Sequence, residues 1–272
     1  MRFARRAYEE GVKRLRWLCL VMISVWPCSR VPVRPIVGGA PVARAAIALD
    51  EETVAGAEHF WRGFPAEEAR GVNAVIEIPC GTTGKFEVAE GDGWLHWQRD
   101  RDTGERRGID YLAYPVNYGM VPRTLAEDGD ALDIVVLGAG IERGRVTPTH
   151  VIGVLEMGEP GERDDKLIAV PAEPELANGF SGLRDLPELD ASHPNVRAIL
   201  ELWFASYWGV GHTHVLGWGD AAEAARILDA SKRAFEAGGV SVARAPRALH
   251  SGRPGAAAPR PRAWSRSDVR AR

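Results

Sequence analysis

The stretch "EDGDALDIVV", residues 127–136, places three aspartates directly before an apolar run. Asp128, Asp130 and Asp133 lie so close together that their charges repel one another unless a cation lies between them. Ligand sets made of oxygen atoms alone favour hard cations such as Mg²⁺ or Mn²⁺. The apolar run that follows predicts a strand. The pattern therefore indicates a metal site at the mouth of a strand.

Two other interpretations of this acidic stretch compete with a magnesium site. An acidic turn with solvated carboxylates needs no metal, and the stretch alone does not exclude it. A calcium-binding EF-hand loop needs Gly at its sixth position and a bidentate Glu at its twelfth. Counted from Asp128, those positions hold Asp133 and Ala139, so the EF-hand interpretation fails.

Short apolar runs separated by Gly, Pro and Asp surround the acidic stretch and predict a domain rich in strands. Two helical patterns follow: one with Ser192 as its N-cap, and one at about 220–237 that ends at Gly238. Residues 46–64 are also mildly helical in pattern. Strands followed by helices predict an α+β fold, a small barrel or curled sheet with helices packed outside it. The predicted strands lie near residues 73–79, 85–89, 94–98, 132–137, 150–157, 166–171 and 212–218.

The two ends of the chain differ in composition from its middle. Residues 1–45 carry nine Lys and Arg against two Glu, residues 241–272 carry eight Arg against one Asp, and residues 46–240 are left with a net charge of −17. So acidic a middle argues against a nucleic-acid partner, because binding to phosphates requires Lys and Arg. We predict three segments: a leader at 1–45, a folded domain at 46–240 and a disordered basic tail at 241–272.

The predicted leader has a basic start followed by a ten-residue apolar stretch at 17–26. This stretch is too short for a stable membrane span, but it has the length of the apolar region of an export signal. Ala43 and Ala45 form a small-x-small pattern for cleavage before Ala46. The sequence thus favours a periplasmic or secreted protein, and a cytoplasmic protein with a disordered leader is the alternative.

Three further stretches combine charged and aromatic residues, and each has an ordinary structural explanation when taken alone. "MGEPGERDDKLIAV", residues 157–170, fits an acidic hairpin loop. "IEIPCGTTGKFEV", residues 76–88, alternates charges as a solvated strand face does. "RRGIDYLAYPVNYG", residues 106–119, has tyrosines beside Pro and Gly, which is typical of half-buried turn packing.

In their order and spacing, these stretches together resemble the soluble inorganic pyrophosphatases of the first family. The similar motifs are "VIEIP", "K-x-E", "YPVNYG", "DGDALD", "GVLEM" with "DDKLIAV", and the trailing "RDLPEL", "FASY" and "GW", over residues 73–235. The resemblance implies a five-stranded OB-like barrel with flanking helices, and hydrolysis of pyrophosphate to two phosphates. It also implies dependence on several Mg²⁺ ions, and a homo-oligomer; Mn²⁺ is the alternative ion that the oxygen ligands allow.

The resemblance also implies roles for individual residues. Pyrophosphate is a polyanion, so a pocket of bare aspartates would repel it unless metal ions lie between the two. Asp130 is implied to be the general base, and Tyr118 and Arg106 complete the catalytic set. Arg106 is preferred to Arg107 because it keeps the family's distance to Tyr114. The implied metal ligands are Asp128, Asp133, Asp164, Glu159 and Glu77, and the implied substrate-binding residues are Lys85, Arg106, Tyr118, Lys166 and Tyr207.

Two departures from the family pattern leave alternatives open. Glu159 and Pro160 stand where the family has Asp and a second acid, and Trp208 stands where a phosphate-binding Lys is expected. An indole does not replace an ammonium group at a polyanion. One alternative is a catalytically lapsed pyrophosphatase-like protein that binds metal or phosphate without turnover, and another is a hydrolase of a different phosphoanhydride.

Overall fold

A computed structural model describes residues 46–109, 112–159, 162–207 and 213–238, with only the backbone described for Glu159 and Glu162. The predicted leader and basic tail lie outside these ranges, so the division into three segments stays a prediction. Among the helices in these ranges, none has both the length and the apolar character needed to cross a membrane.

Within these ranges the chain forms twelve strands and four helices. The strands are β1 (Ile47–Ala48), β2 (Thr53–Ala55), β3 (Glu67–Glu68), β4 (Gly71–Ile78), β5 (Phe86–Val88), β6 (Leu95–Trp97), β7 (Asn117–Met120), β8 (Asp133–Val136), β9 (Val146–Glu159), β10 (Glu162–Arg163), β11 (Lys166–Pro171) and β12 (His214–Gly219). The helices are α1 (Pro174–Ala177), α2 (Leu186–Ser192), α3 (Val196–Ser206) and α4 (Ala221–Gly238).

Five of the strands close into a barrel. They follow the order β9-β11-β8-β7-β4, and β9 also pairs with β4, so the last strand meets the first. β8 and β11 are parallel, and the other neighbouring pairs are antiparallel. β9 is long enough to pair with β4 near its start and with β11 and β12 farther along. The predicted α+β fold with a five-stranded OB-like barrel and flanking helices is confirmed.

Both faces of the central strand β8 are buried. Its neighbouring residues Ile134 and Val135 belong to different hydrophobic clusters, because successive side chains of a strand point to opposite faces. The cluster of Val135 includes Trp203 of α3, and the cluster of Ile134 includes Leu228 of α4. Two apolar faces explain why the sequence after Asp133 is a continuous apolar run and not an alternating one.

The prediction of a mildly helical segment at 46–64 is wrong. That segment contains β1 and β2, which lie in a second sheet with the strand order β1-β2-β6-β5. Val54 and Phe60 are buried in a third hydrophobic cluster with Phe86 and Leu95. Burial against β5 and β6 outweighs the weak local preference for helix.

Two local predictions also differ from the structure. Ser192 is the last residue of α2, where its hydroxyl donates to the carbonyl oxygen of Glu188 (2.7 Å), so it does not cap the next helix. That helix, α3, begins after Asn195, whose φ is 73°. The sequence of strand β7 shows no strand pattern and did not predict it. Its pairing with β4 and β8, and not its local composition, defines this strand.

Candidate active site

The parallel pairing of β8 and β11 brings an aspartate and a lysine together. Asp133 is the first residue of β8 and lies opposite Lys166, the first residue of β11. The Lys166 side chain is 1% exposed, and its Nζ lies 2.7 Å from Oδ2 of Asp133 and 3.0 Å from Oδ1 of Asp164. One buried ammonium group therefore joins a carboxylate at the start of β8 to one in the short segment before β11.

Tyr118 joins this group from the neighbouring strand β7. Its hydroxyl donates to Asp133 and accepts a hydrogen bond from Nζ of Lys166 at 3.3 Å. Its ring lies near Phe204 of α3, with 6.0 Å between the ring centroids. Asp133, Asp164, Lys166 and Tyr118 thus form one hydrogen-bonded group, the Lys166 cluster.

Burial and neighbouring charges shift the pKa values within the Lys166 cluster. The pKa of Asp164 is raised to about 6, because burial, with a smaller contribution from the charge of Asp133, outweighs the opposing charge of Lys166. Burial works against the charged form of Lys166, but Asp133 and Asp164 outweigh it and hold the lysine pKa above its ordinary value. Burial, followed by the charge of Asp133, raises the pKa of Tyr118. An additional cation would stabilise the ionised form of Asp164.

A second group of charged and polar side chains lies on and next to strands β5 and β6. Nζ of Lys85 lies 2.8 Å from Oε1 of Glu87. Gln98 donates from its side-chain amide to the other carboxylate oxygen of Glu87, and Arg107 donates from Nη1 to the amide oxygen of Gln98. These four side chains, Lys85, Glu87, Gln98 and Arg107, form the Lys85 cluster.

Glu77 on β4 connects the two clusters. It is buried, and its Oε1 accepts a hydrogen bond from the backbone N–H of Val88 (3.0 Å). Burial raises the pKa of Glu77 well above its usual range, and the charges of Glu87 and Asp133 raise it further. Glu87 belongs to the Lys85 cluster and Asp133 to the Lys166 cluster, so the charges of both clusters act on Glu77.

Two tyrosines also connect the clusters. Burial raises the pKa of Tyr114 and of Tyr207, and both Lys85 and Lys166 act in the opposite direction on each hydroxyl. Tyr207 follows α3 directly, and its ring stacks on Trp203 with 5.0 Å between centroids. The charges of both lysines therefore act on the same two tyrosines.

Asp128 and Asp130 lie in the loop before β8. The backbone N–H of Asp130 donates to Oδ1 of Asp128 (3.0 Å), and the backbone N–H of Ala126 donates to the carbonyl oxygen of Asp130 (2.8 Å). Gly129 has a φ of 88°, which glycine adopts without steric cost. This turn leaves Asp130 exposed at the entrance to β8.

The donor atoms of the site suit a hard divalent cation. Within the ranges that the structure describes, no three His, Cys, Asp or Glu side chains are grouped closely enough to hold a metal ion, and the side chain of Glu159 lies outside those ranges. The carboxylates are nevertheless all oxygen donors, and the like charges that raise the pKa of Glu77 are what a bound cation would offset. The donor atoms of these residues therefore fit Mg²⁺ or Mn²⁺, which prefer oxygen ligands.

The family model of inorganic pyrophosphatases matches residues 74–236, more than half of the chain, and this range includes every residue of both clusters. The chain belongs to the inorganic pyrophosphatase family. The match begins within β4, so β1, β2 and β3 precede the part of the chain that the family model covers.

Individual pyrophosphatases match over the same region. The chain is 37% identical to soluble inorganic pyrophosphatase 2 of Chlamydomonas reinhardtii over 171 residues, covering 59% of this chain and 78% of that protein. It is 33% identical to the inorganic pyrophosphatase of Haemophilus influenzae over 164 residues, covering 58% and 85%. The crystal structure of an inorganic pyrophosphatase from Neisseria gonorrhoeae matches with a TM-score of 0.52 at 30% identity, covering 61% and 91%.

One predicted substrate-binding residue of this pyrophosphatase-family chain, Arg106, belongs to neither the Lys166 cluster nor the Lys85 cluster. Its Nη2 is 2.6 Å from Oε1 of Glu52 and 3.6 Å from Oε2 of Glu51, and its guanidinium carbon lies 4.9 Å from the centre of the Trp97 ring. The role implied for Arg106 stays a prediction. The other predicted substrate-binding residues lie in or beside the two clusters: Lys85, Tyr118, Lys166 and Tyr207.

The sequence assigns no role to Glu87, Gln98 or Arg107, which the structure places in the Lys85 cluster. Glu87 carries a signal, because it follows Lys85 by two residues and so shares its strand face. Gln98 carries none, because a neutral amide after a strand is common on solvated surfaces. Trp208 and Pro160, where the sequence departs from the family, lie outside the described residues.

Proposed function

We propose that this chain hydrolyses inorganic pyrophosphate to two phosphates in a Mg²⁺-dependent reaction. The observation that carries the proposal is a pair of lysine–carboxylate groups, one around buried Lys166 and one around Lys85, whose lysine charges act on the same two tyrosines. Such a site offers carboxylates to a divalent cation and ammonium groups to a polyanion. The family match supports pyrophosphate as the substrate, since the similar proteins are named inorganic pyrophosphatases.

Carboxylates of the Lys166 cluster and of the loop before β8 would hold the metal. Asp133 and Asp164 are joined through Lys166, and Asp128 precedes them in the loop before β8. Glu77 and Glu159 are further ligands in this proposal. When bound, Mg²⁺ supplies Lewis acidity that activates water and offsets the charge of pyrophosphate.

The remaining side chains position the substrate and accept the proton. Lys85 and Lys166 supply ammonium groups to phosphate oxygens, where charge develops as the leaving phosphate departs. Lys166 and Tyr118 both donate to Oδ2 of Asp133, so they fix the orientation of that carboxylate. Asp130 accepts the proton of the attacking water, and its exposed turn lets solvent carry the proton away.

The proposal is tested by phosphate release from pyrophosphate, using the full-length chain with Mg²⁺. We expect Asp130→Asn to lower kcat at least about 100-fold, because it removes the general base. The matched control is Asp102→Asn, which lies in an exposed turn and is expected to retain activity.

Two other outcomes select the alternative functions. Metal binding without phosphate release from any phosphoanhydride would indicate a lapsed pyrophosphatase-like protein. Release from nucleotides or short polyphosphates, but not from pyrophosphate, would indicate a hydrolase of another phosphoanhydride.

We also propose that the chain is exported and forms a homo-oligomer. Export is supported by the apolar stretch at 17–26 and the alanines before residue 46. A mature N-terminus near residue 46 would agree with it, and an intact Met1 on protein from the cytosol would contradict it. Oligomerisation is supported by the family relationship. For the full-length chain, a mass of 29.6 kDa by light scattering, that of a single copy, would contradict it.

A further inference from the structure

Two adjacent arginines lie in different surroundings. Arg106 forms an isolated bridge with Arg99, and the backbone of Arg107 donates to the carbonyl oxygen of Gln98 (2.8 Å) and accepts from the N–H of Lys85 (3.1 Å). This segment is thus extended between its neighbours. Successive side chains of an extended segment point to opposite sides, so Arg106 and Arg107 do not face the same site.

Arg106 binds the chain segment that precedes the family match. Its guanidinium donates from Nε to Oε1 of Glu52 (2.8 Å), and its Nη2 lies 2.6 Å from the same oxygen. Glu52 lies next to β2, and its carbonyl oxygen accepts from the backbone N–H of Trp97 (2.8 Å). Glu52 also pairs with Arg99 at 2.6 Å. The charge of Arg106 is therefore matched by a carboxylate on the exposed side of the segment.

Arg107 belongs to the opposite side, with the lysine that binds phosphate in the proposed function. It donates to Gln98, Gln98 donates to Glu87, and Glu87 forms an ion pair with Lys85 at 2.8 Å. Its half-buried guanidinium lies within the electrostatic reach of Glu87, Tyr207 and Tyr114, and Lys85 is influenced by the same three groups. Arg107 and Lys85 therefore share one environment.

We propose that Arg107, positioned by Gln98, is the guanidinium that binds pyrophosphate beside Lys85, and that Arg106 instead ties the Glu52 segment to the domain. The inference rests on the proposed function, and it differs from the assignment that sequence spacing gives. A guanidinium offers paired donors in a plane, which suits two oxygens of one phosphate group. Gln98 acts through Arg107 and is a positioning residue.

The two arginines are distinguished by matched substitutions in the full-length chain. Imidodiphosphate, a pyrophosphate analogue with a bridging nitrogen, is titrated calorimetrically with Mg²⁺ present, and pyrophosphate hydrolysis is measured in parallel. We expect Arg107→Gln to weaken analogue binding by about 10- to 100-fold, the loss typical of a charged hydrogen bond. Arg107→Lys is expected to recover part of it. Arg106→Gln is expected to bind within about threefold of the original chain.

Further measurements keep the result interpretable. Arg99→Gln removes another partner of Glu52 and serves as the surface control, and a thermal melt of each variant reports folding. Weakened binding in Arg106→Gln with unchanged binding in Arg107→Gln would overturn the inference, as would equal losses in both. An original chain that binds no analogue would overturn it as well. If the chain binds the analogue with the expected pattern but releases no phosphate, the proposed hydrolysis fails and the inference stands.

Discussion

At the scale of single residues, the environment of Lys166 shows how the site depends on charge balance. The ammonium group is almost completely buried and lies within 3.0 Å of a carboxylate oxygen of Asp133 and of Asp164. A buried ion pair adds little net stability compared with apolar residues, but removing one partner leaves the other charge buried without compensation.

Lys166→Met therefore should destabilise the metal-free protein by about 3 kcal/mol, since two carboxylates lose their shared cation. Urea denaturation in the presence of a chelator measures the change. Lys232→Met is the control: Lys232 pairs with Asp229 and Glu67 at the surface, and its loss should cost at most about 1 kcal/mol. Equal costs for the two substitutions would mean that Lys166 does not hold the carboxylates as described.

A substitution of Gln98 tests whether this residue positions Arg107. Gln98→Leu removes the amide that links Arg107 to Glu87, so we expect KM for pyrophosphate to rise about 2- to 10-fold, the value of one hydrogen bond. Because the reacting groups stay in place, kcat should remain within about twofold. Steady-state kinetics with Mg²⁺ separate the two constants. A fall in kcat with unchanged KM would contradict a positioning role.

At the scale of elements, α3 couples the hydrophobic core to the site. Phe204 is fully buried and lies near Tyr118 and Tyr207, with centroid distances of 6.0 and 5.9 Å. Leu202, two residues earlier, is 71% exposed. The helix thus has one face that supports the tyrosines of the site and another that does not touch the core.

Phe204→Ala should lower the free energy of unfolding by about 3 to 5 kcal/mol, because it opens a cavity in the core. Leu202→Ala should change it by less than about 0.5 kcal/mol. Chemical denaturation measures both. A small effect of Phe204→Ala would show that α3 does not pack on the barrel through this side chain.

The longest of the described helices, α4, is capped at its N-terminus by Asp220. Oδ1 of Asp220 accepts a hydrogen bond from the backbone N–H of Glu223 (2.8 Å). Asp220→Ala should cost about 1 kcal/mol of stability, whereas Asp220→Asn, which keeps an acceptor oxygen, should cost much less. A thermal melt of the two variants is sufficient. An equal effect of Ala and Asn would mean that the cap does not stabilise the helix.

At the scale of the whole molecule, barrel closure depends on the close approach of β4 and β7. A Cβ atom at Gly119 would lie 1.8 Å from the carbonyl oxygen of Val75, a backbone atom that cannot move without breaking the pairing. Closure of the five strands therefore requires glycine at this position.

Gly119→Ala should destabilise the domain by at least about 3 kcal/mol or prevent folding. Gly91→Ala is its control, because nothing lies within 4 Å of the added methyl group in that surface turn, and a change of no more than about 0.5 kcal/mol is expected. Chemical denaturation and circular dichroism measure the effects. A folded, equally stable Gly119→Ala variant would contradict the pairing of β4 with β7.

The chemical groups of the site, and most of the strands that carry them, follow from the amino-acid sequence alone. The aspartates before β8, the lysine at the start of β11 and the "K-x-E" stretch are read from local order and spacing, because residue type fixes charge and donor atoms. The class of fold follows from the same periodicity. The ends of helices and the presence of strand β7 were not predicted as well, since contacts with distant strands define them.

Which of two neighbouring residues faces the site depends instead on the three-dimensional fold. Lys166 meets Asp133 because two parallel strands pair in one register, and no local pattern specifies that register. Arg106 and Arg107 differ by one position, yet the alternation of an extended chain sends one to Glu52 and the other to Gln98. A shift of one residue exchanges the two faces, so direction is a property of pairing across the fold and not of sequence spacing.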